Sequence, residues 1–136
     1  MSEDLLGRLK AATKGLRYVS ESDRPVKPFV WKEAEAAGMT DPETVLRTVR
    51  KIQADTPIRS KTVEEFFAPM LYEYEGQPDE EKEGVRRFRE LRDLLKASLT
   101  DPRAFRVGDE PDIPAYVLGK TPAGDWAGVE TVLVET

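Results

Sequence analysis

The groups best suited to chemistry lie at the two ends of this 136-residue chain. Ser20-Glu21-Ser22-Asp23 sets two carboxylates and two hydroxyls on consecutive positions, and Glu135-Thr136 closes the sequence. A carboxylate in a short loop can be aimed at a metal ion or at a basic pocket on a partner. Serines in such a loop can equally bond their own backbone and leave a solvated turn, which is the reading that spacing alone favours. Between the ends, Glu73 to Glu83 is an acidic run that includes Glu75 and Glu80. It offers either an electrostatic patch for a basic partner or the acidic first turn of a helix, and the helix start explains its position better. Tyr72 and Tyr74 beside it are candidate interface anchors that could also tuck inward.

What is missing narrows the chemistry further. The chain has no cysteine and no histidine. It therefore lacks the usual zinc ligands, the Ser-His and Cys-His nucleophile pairs and the commonest general base. No Gly-rich phosphate loop stands at a strand-to-helix junction. The expectation is a protein that binds and is not an enzyme, with no cofactor of its own. The formal charge of -5 is uneven: residues 109–136 hold six acids (Asp109, Glu110, Asp112, Asp125, Glu130, Glu135) against Lys120 alone. The whole excess lies there, and direct nucleic-acid binding, which needs concentrated positive charge, is disfavoured. No apolar run is long enough to span a bilayer, and the acidic start Met1-Ser2-Glu3-Asp4 has no signal-peptide character. A cytoplasmic protein, monomeric when free, is the default expectation.

The elements that must position these groups follow from periodicity. Leu5, Leu6, Leu9 and Ala12 recur at helical spacing behind Ser2 as cap, and Gly15 is a natural stop. Leu16 to Val19 reads as a strand, Ser20 to Pro25 as a loop and Phe29 to Trp31 as a second strand. Thr40-Asp41-Pro42-Glu43 has the form of a capping box ahead of a helix carrying Val45, Leu46, Val49 and Ile52. Thr62-Val63-Glu64-Glu65 repeats the pattern before Phe66 and Phe67. Val85, Phe88, Leu91, Leu95 and Leu99 then form the clearest helical stripe, flanked by arginines laced with acids and ended by Asp101-Pro102. Phe105 to Val107, Ile113 to Leu118 and Trp126 to Val134 read as strands, the last two joined by a turn at Thr121 to Asp125. The final strand would run to the end and hold the carboxylate of Thr136 beside Glu135 as a fixed anion. Helices and strands mix without a βαβ alternation, so the fold class is α+β, one domain over 1–136, with at least one antiparallel hairpin.

These same ends carry a resemblance. Gly15-Leu16-Arg17-Tyr18-Val19-Ser20-Glu21-Ser22-Asp23-Arg24-Pro25, with Phe29 and Trp31 downstream, resembles the N-terminal motif of the nuclease A inhibitor family. Thr121-Pro122-Ala123-Gly124-Asp125-Trp126-Ala127-Gly128, closing on Val134-Glu135-Thr136, is similar to that family's C-terminal segment. Phe66-Phe67, the acidic helix start and the Leu-rich helix come between them in the same order.

The resemblance implies a three-layer α/β/α sandwich with a mixed or antiparallel sheet. It also implies a role as protein inhibitor of a magnesium-dependent, sugar-non-specific DNA/RNA endonuclease. By resemblance, Glu21 would reach the nuclease's magnesium and Thr136 would enter the same active site. The implied contact set is Ser20, Glu21, Ser22, Asp23, Tyr74, Glu75, Glu135 and Thr136. Two departures stand out. Gly76 and Gln77 occupy positions where the family's acidic loop carries an aromatic pair, with Tyr74 the residue available to substitute; and the segment from Ala34 to Ser60 matches poorly. The alternative is an acidic interaction module for a different basic protein, in which binding follows total charge and Glu21 counts no more than Glu80.

Overall fold

The computed structural model describes residues 2–32, 39–109 and 111–135. Helix α1 (Ser2–Thr13) buries Leu5 and Leu9 and stops just ahead of Gly15. Strands β1 (Arg17–Val19) and β2 (Asp23–Pro25) pair antiparallel, so the stretch expected to be a loop to Pro25 is a tight hairpin. Asp-Arg-Pro shows no hydrophobic alternation, and partners across the turn, not side-chain burial, make it a strand. Strand β3 (Lys27–Trp31) follows directly.

Helix α2 (Pro42–Val49) is capped by Asp41, whose carboxylate accepts from the Thr44 N–H at 3.0 Å. Thr40 was the expected cap. Pro42 then stands at the first helical position, where its missing N–H is of no consequence. Strand β4 (Ile58–Thr62) leads into α3 (Val63–Phe67) through the expected capping box: Thr62 Oγ1 accepts from the Glu65 N–H, and the Glu65 carboxylate accepts from the Thr62 N–H. A 3-10 turn over Ala68–Leu71 and an irregular acidic loop precede α4 (Asp79–Ser98). Helix α4 buries Val85, Phe88, Leu91 and Leu95 and ends three residues before the expected Asp101-Pro102 stop. Those two residues belong to β5 (Thr100–Val107), at a register shift between Thr100 and Arg103, where a proline removes no ladder bond. Strands β6 (Asp112–Lys120) and β7 (Trp126–Val134) complete the chain described.

The main sheet has five strands in the order β3-β7-β6-β5-β4, every pairing antiparallel, and β1-β2 form a separate two-stranded sheet. The fold is α+β. Side chains alternate across the main sheet and divide its interior in two. Ala104, Ala115, Val117, Ala127, Val129 and Leu133 join a cluster with Leu9 of α1, Phe67 of α3 and Leu91 of α4. Their neighbours Phe105, Tyr116, Leu118 and Trp126 join Phe29, Trp31 and the α2 residues Val45 and Leu46 in a second cluster. Arg50 ties α2 to that second face, its guanidinium 5.0 Å from the Trp31 ring centroid and ion-paired with Glu130.

Candidate functional site

Strand β3 pairs only with the first half of β7, from Trp31 opposite Trp126 to Lys27 opposite Glu130. Beyond that point the β1-β2 hairpin lies along the second half of β7. Thr131 Oγ1 donates to the Pro25 carbonyl at 3.0 Å. At the hairpin tip, the Val134 N–H donates to Ser20 Oγ at 2.8 Å and the Glu21 N–H donates to the Val134 carbonyl at 3.0 Å. Residues 114 positions apart in the sequence are thereby laced together, and the structure brings Ser20, Glu21 and Ser22 against the end of the final strand. Within the tip, the Ser22 carbonyl accepts from both the N–H and the hydroxyl of Ser20. The hydroxyl of Ser20 is thus occupied by backbone at both its donor and acceptor sides. Glu21 is exposed at the apex. Asp23 turns back to Arg17, 3.2 Å away across the hairpin.

The end of β7 is pinned from two further sides. The Glu135 N–H donates to the Pro111 carbonyl at 2.9 Å, and its carboxylate accepts from Arg106 at 2.7 Å. Arg106 and Glu135 share a small recess of about 210 Å³ with Tyr18, Ser20, Lys61 and Glu65. Burial pushes the Tyr18 phenol up to about 12, opposed by Arg106 and assisted by Glu135, while its hydroxyl donates to the Phe66 carbonyl. Thr136 lies outside the described residues.

On the other flank of the hairpin the protein exposes large apolar side chains. Among the described residues these are Val19, Tyr72 and Tyr74, at 54%, 69% and 43% exposure, and all three line one shallow groove beside α4. The two tyrosine rings stack at 5.8 Å, and the Tyr74 hydroxyl donates to Glu81, which raises its pKa. The tyrosines therefore face outward. Gly76 and Gln77 serve them from behind: Gly76 takes a positive φ of 82°, and Gln77 is buried with its amide donating to the Tyr72 carbonyl at 3.1 Å. Glu75 is exposed on the same loop. Tyr74 and Glu75 thus sit apart from the Glu21 apex, joined to it by Val19 two residues upstream.

Asp79, Glu80 and Glu81 occupy the first turn of α4, as their position suggested. The arginines of α4 are engaged in ion pairs: Arg86 with Glu83 and Glu90, Arg89 with Glu73 and Arg92 with Asp93. Arg87 instead donates to the carbonyls of Ala12 and Lys14 at the end of α1. Among the described residues no three acids converge in a way that could hold a metal ion, and no helix is long and apolar enough to cross a membrane. Sequence reasoning did not single out Arg106. Its only signal is a charged residue at a half-buried position of β5, and its partner is 29 residues away.

Among protein families, a model described as nuclease A inhibitor-like protein matches residues 3–136. Comparison with curated proteins found no match.

Proposed function

The chain belongs to the nuclease A inhibitor-like family, and from that premise we propose that it inhibits a magnesium-dependent, sugar-non-specific nuclease by placing Glu21 in the enzyme's active site. The family points to a nuclease as protein partner. The observation that carries the finer reading is the lacing of the Ser20–Ser22 tip to Val134, which gathers both ends of the sequence at one exposed apex.

A carboxylate at that apex suits the task. Magnesium prefers hard oxygen ligands, and a nuclease site is built to receive anionic oxygens. A carboxylate held there stands in for a phosphate oxygen and offers no bond to cleave. The metal is the nuclease's own; Glu21 supplies one ligand to it. Because the backbone of the tip is already bonded to β7, little ordering remains to be done on binding. Ser22, Asp23, Glu135 and the segment leading to Thr136 surround the apex in this reading, and the Val19-Tyr72-Tyr74 groove adds an apolar margin. Tyr72 and Tyr74 take the part of the aromatic pair absent at Gly76 and Gln77, with Glu75 beside them. The two hydrophobic clusters support a three-layer arrangement, α1, α3 and α4 over one face of the sheet and α2 over the other.

Titrating the purified chain into such a nuclease, at fixed magnesium and with both DNA and RNA substrates, tests the reading. Stoichiometric loss of both activities is expected. Glu21→Ala and a short Gly-Ser extension after Thr136 should each weaken inhibition strongly. Undiminished inhibition by both variants would remove the mechanism.

A further inference from the structure

Among the described residues, backbone bonds to Val134 secure the apex against β7. In the recess that Ser20 and Glu135 line stands a charged side chain that no motif predicted, Arg106. Arg106 of β5 is in register with Ala115 of β6, and Ala115 with Thr131 of β7. Its guanidinium therefore reaches across a strand, over an alanine, to an acid four residues beyond that row. The pair is partly desolvated, the side chains of Arg106 and Glu135 being 21% and 45% exposed. Such a pair is screened less than one in open solvent, and removing one partner leaves the other partly buried without its counter-charge.

We propose that Arg106 is a positioning residue for the inhibitory apex: by holding Glu135 it fixes the end of β7, and through Val134 the tip that carries Glu21. This rests on the nuclease-inhibitor reading for its consequence and on the geometry for its mechanism. It changes the assignment of Glu135, whose carboxylate is spent inside the protein and does not meet the partner. The chain of contacts is short. Arg106 holds the Glu135 carboxylate, the Glu135 N–H bonds Pro111, and Val134, one residue back, exchanges two hydrogen bonds with Ser20 and Glu21. Tyr18 and Lys61 complete the recess.

The test uses the full chain carrying Arg106→Ala, Arg106→Lys, Glu135→Gln, and the Arg106→Ala/Glu135→Gln pair. Two quantities are read: amide exchange at Glu21 and Val134 in the free protein, and the concentration giving half-inhibition of the nuclease. Arg106→Ala and Glu135→Gln should each speed exchange at those two amides while leaving Val129 protected. Each should weaken inhibition about tenfold, and the double variant should be no worse than either single one. Arg106→Lys, which keeps the charge, should recover most of the loss.

The proposal is overturned if Glu135→Gln weakens inhibition further in the Arg106→Ala background, since Glu135 would then touch the partner itself. It is overturned equally if Arg106→Ala leaves exchange at Glu21 and Val134 unchanged. That second result is read without any nuclease. A parent chain that fails to inhibit would count against the proposed function, while exchange still decides whether Arg106 holds the strand end.

Discussion

Glu21 and Glu135, carboxylates of similar chemistry, lie on neighbouring stretches of backbone, the Glu21 N–H bonding the carbonyl of Val134. Arg106 pairs with Glu135, and Glu21 is an exposed residue at the apex of a turn whose backbone is committed to β7. In the sequence Glu21 stands out through the resemblance carried by the motif around it, since residue type and spacing alone favour a solvated turn. The role of Ser20 was not legible, because a serine beside a glutamate reads as a solvated turn until the strand that occupies its hydroxyl is known. Arg106 was hidden for the same reason: topology alone brings it to Glu135. Tyr18, under the hairpin, allows a check of this neighbourhood by pH. Its phenol is raised from 10.0 to about 12 by burial. The folded state therefore favours the neutral phenol. That stability is fully present below pH 10 and is lost as pH rises toward 12. Chemical denaturation between these limits should show the parent losing on the order of 2 kcal/mol relative to Tyr18→Phe, which has no phenol to titrate. Parallel pH profiles for the two proteins would contradict the burial of that hydroxyl.

At the level of elements, the hairpin is the part that presents the site, and it was only half legible. The spacing of Tyr18 and Val19 gave β1, but Asp23-Arg24-Pro25 has no alternation to mark β2. It becomes a strand because Arg17, Tyr18 and Val19 pair with it. Strand β4 escaped for a related reason: Arg59, Ser60 and Lys61 make a polar edge strand that imitates a loop, though such charges are what keep an open edge from pairing with other chains. The helices were plainer, since a long apolar stripe and a Thr-x-x-Glu box each report local physics. The attachment of hairpin to sheet can be tested at Ser20. Ser20→Ala leaves the Val134 N–H without its acceptor, and should cost about 1 kcal/mol of stability. Urea unfolding and exchange at Val134 measure this together. An unaltered midpoint with a still-protected Val134 amide would mean that the hydroxyl does not hold the strand.

Across the whole molecule, alternation along β5, β6 and β7 supplies both hydrophobic clusters at once, so the central strands must keep their register for either face to pack. Gly128 shows how tight this is. A Cβ built there would lie 1.7 Å from the Val117 carbonyl oxygen, an overlap with backbone that no rotamer relieves. Gly128→Ala should therefore lower stability by more than about 3 kcal/mol, visible as a large fall in melting temperature; a near-parental melting temperature would contradict the close β6-β7 approach. The sequence made the α+β class and the flanking motifs readable, whereas the approach of the Ser20–Ser22 tip to the end of β7 became visible only with the tertiary structure, in which β3 pairs with β7 and the separate hairpin bonds its far half. From that approach comes the proposal that one particular carboxylate, and not the overall acidity of the chain, stops a nuclease. The most direct measurement compares the inhibition constants of Glu21→Gln and Glu80→Gln against the same magnesium-dependent nuclease. Both substitutions remove one negative charge, the first at the apex and the second in the first turn of α4. A loss of about a hundredfold or more is expected for Glu21→Gln, as for the truncation of an interface hot spot, and less than about threefold for Glu80→Gln. Equal, small and salt-sensitive losses for the two would contradict it and leave only a diffuse acidic interaction.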